Sequence, residues 1–153
     1  MVFNMIFKEV NGKYLGKSED FIQELVRLFK LRKYHVDIRS VKHSYETGVP
    51  EKTRKKILLV AEKFTAKNWK SRIVFKANLT YDIEKNTLDI KGHLLGTVVK
   101  QKHVSAFPLL NLAERLKVLL NPGTIKEKES KTSTIMKEDL KTILRSIEKI
   151  ILK

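Results

Sequence analysis

Between Arg72 and Leu95 the chain alternates with a period of two. Ile73, Phe75, Ala77, Leu79 and Tyr81 are apolar or aromatic, and Arg72, Lys76, Asn78, Thr80 and Asp82 stand between them. After the polar break Glu84-Lys85-Asn86, the pattern resumes with Leu88, Ile90 and Leu94 against Asp89, Lys91 and His93. Such alternation predicts a β-hairpin over about 72–95 with one buried face and one chemical face. The buried face needs cover, and the flanking segments are patterned to provide it.

Upstream, Val2–Val10 and Lys13–Leu15 flank Asn11-Gly12, which predicts a strand or a short hairpin. Ser18 is a good helix cap, Glu19 and Asp20 suit the positive end of a helix dipole, and Phe21, Leu25, Leu28 and Phe29 follow at helical spacing. A strand is predicted around Tyr34, Val36 and Ile38, then a loop at 45–49. From Pro50 to about Lys70, Ile57, Val60, Ala61 and Phe64 predict the buried side of a second helix. Leu109, Leu112, Ala113, Leu116 and Leu120 predict a third, stopped by Asn121-Pro122-Gly123. The polar stretch before 134 reads as a linker. Met136, Leu140, Ile143, Leu144, Ile147 and Ile151 then mark the apolar stripe of a last helix.

These elements predict an α+β fold in which helices cover one face of a small mixed sheet. The expected organisation is a basic domain over 1–121, a linker over 122–133 and an amphipathic helix over 134–153 that docks on the domain or forms a homodimer through 134–152. The β-α-β-α-β-β order is similar to that of several small RNA- and DNA-binding folds, among them the Alba-type chromatin proteins; the likeness is one of element order and implies no residue roles.

Charge sharpens the picture. The 153 residues hold 32 Lys and Arg against 17 Asp and Glu, a formal charge of +15. By thirds, residues 1–50, 51–102 and 103–153 carry +3, +8 and +4. A self-repelling excess of this kind points to a polyanionic partner. The expected phosphate contacts are Lys52, Arg54, Lys55, Lys56, Lys63, Lys67 and Lys70 on the predicted basic helix, with Arg72 and Lys76 on the hairpin. About five such contacts give a log-log salt slope of roughly −4 to −5 on duplex DNA. Tyr34, Tyr45 and Trp69 are the candidate stacking residues.

A second signal is acidic. Asp89-Ile90-Lys91 has the D-x-K form, and residues two apart on a strand share a face. With Asp82 on the partner strand, two carboxylates and a lysine supply oxygen ligands for Mg²⁺ and a cation beside the attacking water. This resembles the PD-(D/E)xK nucleases, including archaeal Holliday-junction resolvases. The resemblance implies Asp82 and Asp89 as metal ligands, Lys91 as a catalytic cation, Mg²⁺ as cofactor, and Glu19 or Glu24 as the helix glutamate. No Pro-Asp precedes the hairpin here.

Without cysteine, disulfides and thiolate metal sites are excluded. His35, His43, His93 and His103 have no metal-ligand spacing, and hydrolase elbows, phosphate-binding glycine loops and dinucleotide fingerprints are missing. No apolar run reaches the ~20 residues that span a bilayer, and no signal peptide is evident, so a soluble, cytoplasmic protein is expected. The leading expectation is non-catalytic, cofactor-free nucleic-acid binding. The alternatives are a metal-dependent nuclease, and a partner-binding or structural protein whose basic surface is incidental.

Overall fold

The computed structural model describes residues 2–45, 52–101 and 122–152. Among the described residues five strands and two helices follow one another: β1 (Val2–Leu15), α1 (Ser18–Leu31), β2 (His35–Tyr45), β3 (Lys52–Ala66), β4 (Trp69–Asp82), β5 (Thr87–Lys100) and α2 (Pro122–Ile150). The strands form one sheet in the order β1-β5-β4-β3-β2, antiparallel at every pairing rather than mixed. Both helices lie on the same face of it, so the fold is α+β with one helix-covered face.

The predicted hairpin is the centre of this sheet. Ile73, Phe75, Ala77 and Leu79 on β4 face α1 and α2, as do Leu88, Ile90 and Leu94 on β5, and all are almost fully buried. From α1, Phe21, Leu25 and Phe29 descend onto them at four-residue spacing, also fully buried. Burying each of these large side chains contributes about 2 to 3 kcal/mol.

The helix expected over 50–70 is instead the strand β3. Ile57-Leu58-Leu59-Val60-Ala61 is a run of five apolar residues that fits either period. Its partners decide: β2 pairs one edge and β4 the other, and Ile57, Leu59 and Ala61, not the helical set 57-60-61-64, fill the core. Phe64 is exposed.

Asn11-Gly12 makes no turn, because β1 runs straight through it against β5. A Cβ on Gly12 would lie 2.8 Å from the Leu152 carbonyl oxygen and 3.0 Å from the Ile151 side chain. The glycine therefore serves close approach, since the chain after α2 returns to exchange two hydrogen bonds between Lys13 and Leu152.

The polar stretch 122–133, expected as a linker, is the start of α2. The stripe Met136, Leu140, Ile143, Ile147 and Ile151 is buried against the sheet of the same chain. The helix expected after Pro108 and residues 46–49 of the loop expected at 45–49 fall outside the described residues, and Tyr45 ends β2.

Candidate nucleic-acid interface

Turning 52–66 into a strand redistributes its cations. On a helix, neighbours share a broad face; on a strand, successive side chains point to opposite faces. Lys55 and Lys63 turn under the helices. Lys55 is buried and reaches Glu19 at 3.2 Å. The Lys63 ammonium donates to Asp139 Oδ2 at 2.6 Å and to the Arg32 carbonyl at 3.1 Å. Arg54 and Lys56 turn the other way, onto the outer face, where the β4 register also places Lys70, Arg72 and Lys76. Lys67 is exposed at the β3–β4 turn. The Lys52 side chain lies outside the described residues.

The outer face divides along the strands. At one end Glu62 gathers Lys70 at 3.3 Å, Arg72 at 3.5 Å and Arg39 at 3.9 Å. Partial burial raises the Glu62 carboxyl, but Arg72 and Lys70 outweigh it and hold the group below its usual range. Val60, Val74, Leu95 and Phe7 form the next row, an apolar band across β3, β4, β5 and β1.

Beyond the band, Leu58, Lys76, His93 and Glu9 form one cross-strand row, and Lys56, Asn78, Lys91 and Asn11 the next. All four of the latter are exposed and none is acidic. Among the described residues, Lys56, Lys76 and Lys91 have no ion-pair partner. Strands spaced ~4.8 Å apart make this Lys-Asn-Lys-Asn row about 14 Å long. It offers alternating cations and amides to an extended anion.

The stacking candidates lie elsewhere. Tyr34 and Trp69 are buried on the helix side, and the Tyr45 side chain is outside the described residues. Among the described residues Phe7 and Phe64 are the aromatics exposed on the outer face, and Phe7, whose ring stands 4.8 Å from that of His93, lies nearer the lysine row. In the sequence Phe7 is one apolar residue of the strand expected over Val2–Val10. Its position, odd-numbered on a strand whose even residues Ile6, Val10 and Tyr14 face the core, was the available signal.

Tyr34 belongs to a buried network that ties α2 to the sheet. Its hydroxyl donates to Asp139 Oδ2 at 2.8 Å and accepts from Ser71 at 2.7 Å. Burial pushes the phenol far above its ordinary range, and the Asp139 charge adds to the rise, so Tyr34 stays neutral. Arg32 Nε lies 3.3 Å from the same carboxylate.

Of the nuclease-like set, Asp89 and Lys91 do share the outer face. Asp82 sits one cross-strand row away, and its Oδ1 accepts the N–H groups of Glu84 at 3.1 Å and Lys85 at 3.4 Å, capping the turn. Glu19 and Glu24 belong to α1, on the opposite side of the sheet. Among the described residues, no three His, Asp or Glu side chains gather closely enough to hold a metal ion, and no helix is long and apolar enough to cross a membrane.

No protein-family model matches the chain, and no curated protein matches it either.

Proposed function

We propose that this protein binds nucleic acid without cutting it, laying the phosphate backbone across the outer face of the sheet. The observation that carries this reading is the acid-free row Lys56-Asn78-Lys91-Asn11, with Lys76 beside it and all three lysines free of ion pairs among the described residues. Exposed lysines of this kind gain little from Coulomb attraction in water; they bind by releasing the counterions condensed on a polyanion. The asparagines donate and accept hydrogen bonds between them. His93, in the row next to the lysines, and Phe7, one row further on, offer a ring surface to an unpaired base.

Retention of labelled DNA and RNA, with and without Mg²⁺ and at two salt concentrations, tests the reading. Salt-sensitive retention without cleavage, lost in the Lys56→Glu/Lys91→Glu variant, is the expected result. Metal-dependent cleavage abolished by Asp89→Ala would replace it with the nuclease reading. Absence of retention at low salt would leave a partner-binding protein.

A further inference from the structure

Among the described residues β1 is an edge strand whose outer edge is only partly paired. Lys13 turns its N–H and C=O outward to Leu152. In an antiparallel ladder residues two apart point the same way, so Asn11, Glu9 and Phe7 also turn their backbone groups outward. The ladder is regular from Ile6 to Leu15. Among the described residues nothing pairs with those three.

Directly beside this edge a groove of about 450 Å³ runs between β1 and α2. Ile6, Leu140 and Leu144 form its apolar part, and Lys137, Lys141 and Arg145 stand along the helix side at four-residue spacing. Lys8 adds a fourth cation from β1. Glu148 is the one acid lining it among the described residues. None of the four cations is ion-paired among the described residues.

We infer that the β1 edge and this groove bind an extended peptide segment carrying both apolar and acidic side chains, which adds to the sheet as a sixth strand. The outward N–H and C=O groups of Phe7, Glu9 and Asn11, unpaired among the described residues, supply main-chain hydrogen bonds, the usual source of affinity when a strand is added to an edge. Ile6, Leu140 and Leu144 receive its apolar side chains. Lys8, Lys137, Lys141 and Arg145 receive its carboxylates, and a basic peptide is repelled by the same four charges. A nucleic acid would meet the cations but leave the edge amides unpaired and the apolar part unfilled, so a peptide fits the groove better.

The full-length protein, ¹⁵N-labelled, is titrated with a short synthetic peptide repeating Val-Thr-Glu-Thr, which sets valine and glutamate together on one face of a strand, with its lysine-for-glutamate counterpart, and with a single-stranded oligonucleotide. The valine–glutamate peptide is expected to bind and to slow hydrogen exchange at the amides of Phe7, Glu9 and Asn11. Glu9→Pro removes one outward donor while leaving the ladder to β5 intact. It also removes a negative charge, so weaker binding of an acidic peptide cannot come from electrostatics. At least a tenfold loss is expected, and a similar loss in Lys141→Glu/Arg145→Glu, which changes only exposed helix positions and keeps the test open if Glu9→Pro does not fold. The inference is overturned if the acidic peptide does not bind, if the lysine peptide binds as well, if the edge amides gain no protection, or if the oligonucleotide occupies the groove instead.

Discussion

Lys55 and Lys56 are neighbours in the chain and lie on opposite sides of the sheet, the first buried against Glu19 and the second exposed in the row with Asn78 and Lys91. Their substitutions separate the two faces. Lys56→Met should weaken nucleic-acid retention and lower the magnitude of the salt slope by about 1. Lys55→Met should leave retention unchanged, and stability within about 1 kcal/mol, because the Glu19 carboxylate it abandons is well exposed. Retention assays and urea melts on the two variants check this directly.

Asp139 holds α2 to the sheet by neutralising Lys63 and Arg32 and accepting from Tyr34. Asp139→Ala should cost about 3 kcal/mol in urea unfolding, the lower end for breaking a buried charge pair, because Arg32 retains access to water. Tyr34→Phe removes one neutral donor and should cost about 1 kcal/mol.

Gly92 and Gly96 both face the helices from β5, and their neighbours differ in kind. A Cβ on Gly92 would stand 2.5 Å from the Lys76 carbonyl oxygen and from the Ala77 Cβ, on the paired strand, where nothing can turn aside. On Gly96 it would meet the Met136 sulfur, the far part of a flexible side chain. Gly92→Ala should therefore cost about 2 kcal/mol or more and Gly96→Ala clearly less, as read from thermal or urea midpoints.

Acid should weaken the fold partly through Glu62. Its carboxyl is held below the ~4.3 of an unfolded glutamate, so its contribution is complete above that value and is lost as pH falls through the folded one. Glu62→Gln should lower stability at neutral pH and flatten the acid limb of a stability-against-pH curve. An acid limb identical to that of the parent protein would assign the effect to other groups.

Much of the fold was legible because two-residue alternation in β4 and β5 is unambiguous: Ile73 to Leu79 and Leu88 to Leu94 were expected in the core and are there. The four-residue spacing of Phe21, Leu25 and Phe29 was as plain. What failed was 52–70, where five consecutive apolar residues carry no period and lysine is at home in a helix. The tertiary pairing of β3 with β2 and β4, invisible in the local pattern, decided it. That single change of period dispersed the expected patch, sending Lys55 and Lys63 inward and leaving Arg54, Lys56 and Lys76 outside. The candidate row could not be read in advance, because Lys56, Asn78, Lys91 and Asn11 belong to four strands and meet only through register.

The most direct measurement is the salt dependence of nucleic-acid affinity in the parent protein and in Lys56→Ala/Lys76→Ala/Lys91→Ala. If these lysines meet the phosphates, the log-log slope on duplex DNA should lose about 2.7 of its magnitude in the triple variant, or about 2 on a single strand. An unchanged slope and affinity would show that the outer face of the sheet is not where the polyanion lies.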